Sequence, residues 1–258
     1  MEHWAQLYEL WSSQIKAGAD LPFHQEFFVN FYQSFIFNDR WIQYLQGLGH
    51  TLQITVVALI IGVILGVAVA VLRTAHDQQR VGRRSVVLGI VNTVCKLYTT
   101  IIRGTPMMVQ LLIMGLVIFS HSRNFAMVGA LTLGINSGAY VAEIVRSGLM
   151  SVDAGQMEAG RSLGLNYGIT MRFVVVPQAI KNILPALGNE FITLLKDTSL
   201  ITVIGGKEML YAAQAIYAKT YAPMMPLVGT AILYLIVVIL FTWLLGILER
   251  RLRQSDRR

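Results

Sequence analysis

The sequence predicts an all-α membrane protein of about five transmembrane helices, with one short helix projecting on the cytoplasmic side. Three observations predict it: long uncharged runs, arginines gathered at the ends of those runs, and a polar, glycine-punctuated insert, 151–181, between two of them. Only 14% of the 258 residues are charged, whereas soluble domains carry about 25%.

Two spans need no argument beyond length. Leu52–Leu72 holds 21 residues without a charge, enough to cross about 30 Å of hydrocarbon at ~1.5 Å per residue. Pro226–Leu248 holds 23. Between them lie three harder segments. Ser85–Ser120 is apolar but broken by Lys96 and by "RGTP" at 103–106; Phe125–Val141 is uncharged and continues helically through "AEIVRSGLM"; Ile183–Gly205 is apolar but carries Asn189, Glu190, Lys196, Asp197, Thr198 and Ser199.

The arginines decide how often the 36 residues of 85–120 cross. Arg73, Arg80, Arg83 and Arg84 precede them, and Arg250, Arg251, Arg253, Arg257 and Arg258 end the chain. Basic residues favour the cytoplasmic side, and placing both groups there requires an even number of crossings between them. One bent crossing for 85–120 satisfies this and two do not. The expected spans are therefore about 52–72, 85–120 (bent at Gly104-Thr105-Pro106), 125–149, 183–205 and 226–248. The N-terminus is then outside, the C-terminus inside, and 151–181 cytoplasmic. A permease domain at 48–251 would be preceded by an arm, 1–47, and followed by a basic tail, 252–258. The arm holds Trp4, Trp11, Phe27, Phe28, Phe31, Tyr32, Phe35, Phe37 and Trp41. It reads either as amphipathic helical pieces at headgroup level or as an unstructured outer arm. "MEHWAQLYELW" lacks the basic n-region of a cleavable signal.

Composition also excludes function classes. The net charge of +7 sits at span ends, so it signals topology and not a nucleic-acid face. Cys95 is the one cysteine and reads as a buried thiol. No His/Cys/carboxylate set has metal-ligand spacing, and no nucleophile pairs with a base. There is no GxxxxGK[ST] loop, since Gly206-Lys207 lacks the earlier glycine and the following hydroxyl. An enzyme is disfavoured, as is a secondary transporter, for which no internal repeat is visible. A scaffold subunit without transport function remains open.

Within the insert, Asp153 suits a helix N-terminus and Gly164 a left-handed end. Glu158 and Arg161 stand three apart for local pairing, while Ala159, Leu163 and Met157 offer small or apolar contact points. Such a helix either docks on another molecule or packs on its own bundle.

The spacing Glu158-Ala159-Gly160, three residues, Gly164, nine residues, Val174, two residues, Pro177 resembles the "EAA" signature of ATP-binding-cassette importer permeases. Gly160 stands where the family often has a second alanine, and Val174 where isoleucine is common. The stretches "RGTPMMVQLL", "NSGAYVAEIVRSGLMSVDAGQMEAGRSLGL" and "PQAIKNILPALGNEFITLLKDTSL" resemble the polar amino-acid branch, over roughly Trp41–Arg251. Relatives often carry an acidic residue near Thr100, which this chain lacks.

The resemblance implies a type I importer permease in a bacterial cell membrane. It implies two permease subunits (a homodimer or a heterodimer), ATPase subunits that hold ATP and Mg, and an outer solute-binding protein that delivers an amino acid. This chain would bind no cofactor itself. Glu158, Ala159, Gly160, Arg161, Gly164 and Pro177 would then form the ATPase-coupling element, with Glu158 fixing the loop by polar contacts.

Ionisable groups inside spans face the bundle interior or water, which selects path or gate candidates. Asn189, Thr193, Lys196 and Asp197 recur at near-helical spacing with Glu190, Thr198 and Ser199 beside them. They line the path or the second subunit, or Glu190, Lys196 and Asp197 satisfy one another. Glu143, one turn from Arg146, suggests pairing or gating, and Arg103 and Asn136 complete the set.

Overall fold

The computed structural model describes residues 2–79 and 85–254. The predicted clusters at Arg80, Arg83 and Arg84, and at Arg257 and Arg258, lie outside the described residues.

Two helices open the chain: α1 (Glu2–Lys16) and α2 (Phe23–Phe31). Aromatic rings clamp them together. Trp4 and Trp11 both meet Phe28, and Tyr8 stacks on Tyr32 with centroids 4.9 Å apart. The contacts continue through Phe31, Phe35 and Tyr44. Of the two readings of the arm, the helical one matches this architecture.

α3 (Arg40–Asp77) is 38 residues long, well beyond the 21 predicted, because its first turns carry Gln43, Gln46 and His50 and do not read as apolar. α4 (Val86–Gly104) then leads to α5 (Met107–Leu112), which continues as a wide turn through Ile113–Ile118. The break falls where expected. Pro106 forces Thr105 into an extended conformation, φ −116 and ψ 144, as prolines do to their predecessors.

α6 (Phe125–Met150) lies along α3 in a close seam of small residues. A Cβ on Gly66 would stand 2.6 Å from Val141 Cβ, one on Gly134 would stand 2.7 Å from Ile61 Cβ, and one on Gly62 would stand 2.8 Å from Ser137 Oγ. Backbones approach this closely only where side chains are absent. The pairing rises in step along both helices: Ala58 and Ile61 lie at Gly134, Leu65 at Gly138, Gly66 at Val141, and Arg73 at Glu143. The two helices are therefore parallel, so the chain between them crosses the bundle once and not twice.

α7 (Ala154–Ser162) and α8 (Tyr167–Thr170) follow, then α9 (Val176–Asp197) and a 3-10 stretch, Thr198–Ile204. α9 runs antiparallel to α6 from end to end. Ile183 packs on Gly148, Glu190 on Ser137, and Ile201 on Gly129. Among the described residues, four helical stretches could cross a membrane by length and composition, ending with α11 (Met224–Gln254). The polar α9 is not among them, but it spans as far as α6 does and supplies the fifth crossing.

The helix that carries this crossing begins at Val176, seven residues before the expected span start at 183. Gln178, Lys181 and Asn182 interrupt the apolar run, yet Ala179 and Ile183 keep a buried face one turn apart. Pro177 in the first turn costs the helix no internal hydrogen bond. Between α9 and α11 lies α10 (Met209–Thr220), a helix that sequence reading left as a connection.

Among the described residues three apolar clusters form the core, the smallest of them Tyr44, Ala213 and Ile216. One gathers Ile54, Ala58, Leu111, Val128, Leu133, Leu194 and Ile201; another gathers Ala70, Val141, Val145, Ala179 and Ile183. Cys95 is buried and free, as expected.

Candidate functional site

α7 sits at the end of the bundle where α3 and α6 finish and α9 begins. Asp153 caps it by accepting a hydrogen bond from Gly155 N–H at 2.7 Å. Its other end closes through two backbone bonds, Gly164 N–H to Arg161 O at 3.0 Å and Leu165 N–H to Gly160 O at 3.1 Å. This paired closure needs a left-handed residue after the last helical one. Gly164 supplies it with φ +80. Space around Gly164 is open, so its backbone conformation alone selects glycine.

The inner side of α7 is small. Gly160 is buried against Thr170, where an added Cβ would collide with the threonine methyl. Polar ties then bind the insert to α9: Gln178 donates to Gln156 at 3.1 Å, and Asn182 donates to Ser151 at 2.8 Å. The outer side is bare. Glu158, Ala159 and Arg161 are exposed, Pro177 is exposed, and Leu163 is 82% exposed with Phe173 at 67%.

Two expected contacts are corrected here. Among the described residues Glu158 makes no polar contact, and it forms no ion pair with Arg161. Both residues are exposed. Among the described residues the loop is tied by Asp153, Asn182 and the Gly164 closure.

Inside the bundle the polar candidates separate into three groups. Glu143 pairs with Arg73 of α3 at 2.5 Å, and not with Arg146, whose guanidinium reaches Met150 Sδ at 3.8 Å. Around the α4–α5 break, Gln110 donates to Ile102 O and Thr105 Oγ1, both at 2.8 Å, and accepts from Asn136 at 3.0 Å. Arg103 lies over the Tyr140 ring at 5.2 Å. The break is thereby fastened to the middle of α6.

The third group is on α9. Asn182, Asn189, Thr193 and Lys196 are all exposed at seven-, four- and three-residue intervals, which is one helix face. Glu190 leaves this face and accepts from Ser137 Oγ at 2.7 Å. No ion pair within 4 Å joins Glu190, Lys196 and Asp197 among the described residues. Thr198 is fully buried and donates to Leu195 O. Ser199 and Lys196 border a cavity of about 290 Å³ with Thr230 and Tyr234.

Sequence reading missed Glu208. It is 1% exposed and caps α10 by accepting from Tyr211 N–H at 2.8 Å. Tyr234 of α11 donates to it at 2.6 Å and Thr51 of α3 at 3.4 Å. Burial pushes its carboxyl above the ordinary glutamate range, against the opposing pull of these hydrogen bonds. A carboxylate two residues after the Gly205-Gly206 pair and just before the apolar run of α10 was visible in the sequence, though glutamate is not among the usual capping residues.

A bundle of five crossings with a short, solvent-facing helix at one end defines a polytopic transport subunit. The chain belongs to the family of binding-protein-dependent transport system inner membrane components, whose profile matches residues 85–254. It is similar to the arginine transport system permease protein ArtQ of Bacillus subtilis, 37% identical over 82% of this chain and 93% of that one. The glutamine transport system permease protein GlnP of Escherichia coli is 35% identical over 81% of this chain and 92% of its own. Among solved structures, an amino acid ABC transporter crystallised with histidines shares 41% identity over 81% of this chain and 94% of its own, at a TM-score of 0.73. The chain is thus a membrane permease of an ABC importer, and ATP is hydrolysed on separate subunits.

Proposed function

We propose that this chain forms half of the path of a polar amino-acid importer and is driven through α7 by a separate ATPase that holds ATP and Mg. The bare outer face of α7 carries the proposal: Leu163 at 82% exposure on the same short helix end as Glu158, which has no partner among the described residues. Exposed apolar area of this kind gains only when a partner covers it. Glu158, Ala159 and Arg161 present the face, while Gly160, Gly164 and Pro177 hold its shape. The relatives named for arginine and glutamine transport, and the solved amino acid transporter, support a polar amino acid as substrate.

The α7 end is the cytoplasmic one. Arg73 lies there, and α11 runs antiparallel to α9, with Leu245 at Gly188 and Phe241 at Phe191, which brings Arg250 and Arg251 to the same side. The arm, 1–47, then lies at the outer headgroup level, ahead of the 48–251 permease domain and the 252–258 tail. The outer end would receive a solute-binding protein. The stripe of Asn189, Thr193 and Lys196, with Ser199 beside it and Asp197 partly buried, faces a second permease subunit across the path. Asn136 and Arg103 at the break and Glu143 at the inner end would gate it, with Glu190 and Thr198 bracing the helix.

Reconstitution with the ATPase and the binding protein tests this. Uptake should require ATP, and Gly164→Val should lower it more than tenfold while the chain stays inserted. Uptake that persists without ATP and follows an ion gradient would overturn the reading.

A further inference from the structure

At the end opposite α7, three elements enclose a cavity of about 320 Å³. α3 contributes His50 and Gln53, the turn before α6 contributes Arg123 and Asn124, and the stretch after α9 contributes Lys207. His50, Arg123 and Lys207 are exposed, and none has a hydrogen-bond or ion-pair partner among the described residues. Among the described residues no carboxylate borders the cavity. Glu208, next to Lys207, spends its oxygens on Tyr211, Tyr234 and Thr51.

The start of α6 adds to this positive field. The Asn124 side chain accepts from Met127 N–H at 3.0 Å, which leaves the N–H groups of Phe125 and Ala126, both cavity residues, without acceptors. Two permanent cations, an imidazole donor and the first amides of a 26-residue helix thus converge on one space, an arrangement that attracts an anion with several acceptor oxygens.

What lies below the cavity selects the anion. His50, Gln53, Val57, Ile60 and Ile64 follow at intervals of three and four, so they share one face of α3. Val57, Ile60 and Ile64 are 38%, 54% and 65% exposed, on a helix that crosses the membrane. The polar cavity is therefore the head of an apolar stripe that faces lipid. We propose that it binds the headgroup phosphate of an anionic phospholipid whose acyl chains lie along Val57, Ile60 and Ile64. A free anion would use only the upper half of this surface.

The test uses the purified transporter complex in detergent, titrated with dioctanoyl phosphatidylglycerol, dioctanoyl phosphatidylcholine and inorganic phosphate, with binding read by native mass spectrometry. Phosphatidylglycerol should bind saturably, more tightly than the other two, and more weakly as salt rises. Each removed cation should cost about fivefold in affinity, so Arg123→Gln with Lys207→Gln should cost about 30-fold. Arg123→Lys with Lys207→Arg should retain binding, and an unchanged thermal midpoint would show that the glutamine variant is folded. Equal binding of both lipids, or a double variant that binds phosphatidylglycerol normally, would overturn the proposal. Inorganic phosphate binding as tightly as phosphatidylglycerol would overturn its lipid part. Loss of binding-protein affinity without loss of lipid would assign the cavity to a protein partner and overturn it too. None of these outcomes depends on whether α7 couples to an ATPase.

Discussion

The seam between α3 and α6 and the insert that carries α7 are built by opposite means. The seam is held by close backbone approach, with Gly62, Gly66 and Gly134 admitting neighbours at 2.6–2.8 Å of a would-be Cβ. The insert is held by its caps and two side-chain hydrogen bonds, and its largest apolar groups, Leu163 and Phe173, face outward. A close-packed seam transmits motion without deforming, whereas a helix with a bare face is completed only by a partner. The difference teaches where force enters and where it is carried.

Overpacking the seam should have the largest effect. Gly66→Leu drives a side chain into Val141 and should cost about 3 kcal/mol, read as a lowered thermal midpoint in detergent or a failure to recover monodisperse protein. If the variant keeps the wild-type midpoint, the seam is looser than described. Next is Gly164→Val. Holding a β-branched residue at φ +80 should cost about 1–3 kcal/mol, confined to the insert, so uptake should fall while the thermal midpoint of the bundle barely moves. Equal losses in both would erase the contrast between the two regions.

Glu208 sharpens the comparison through pH. Its folded carboxyl titrates above the unfolded value of 4.5, so folding favours the protonated form. The stabilisation is complete below 4.5 and is lost as pH rises through the folded value. Thermal midpoints should fall across that window in the wild type, and Glu208→Gln should flatten the profile. Glu208→Ala should instead lower stability at every pH, because Tyr234 and Thr51 lose an acceptor. The smallest effect belongs to Glu143→Gln, which breaks the ion pair with Arg73 at a cost of about 1 kcal/mol and should leave expression unchanged. A double-mutant cycle with Arg73→Gln would measure it.

Much of this was legible. Uncharged runs marked three crossings, and the parity of arginines led to the expectation of one bent passage over 85–120. Asp153 and Gly164 gave the ends of α7 through local backbone rules. What escaped was set by tertiary contact. The early start of α9 was hidden because its polar residues turn to one side while Ala179 and Ile183 stay buried. Partners were harder still: Glu143 chose Arg73, seventy residues away, over Arg146 one turn along, and Glu190 chose Ser137 on another helix. Sequence spacing counts neighbours on one helix, and these pairs form between helices.

The most direct test places a cysteine at Leu163 and cross-links the assembled transporter with a short thiol-to-amine reagent. Covalent capture of the ATPase subunit at Leu163→Cys, with none for a cysteine at Thr170 on the buried side, is the predicted result. Capture at neither position, with uptake intact, would contradict it.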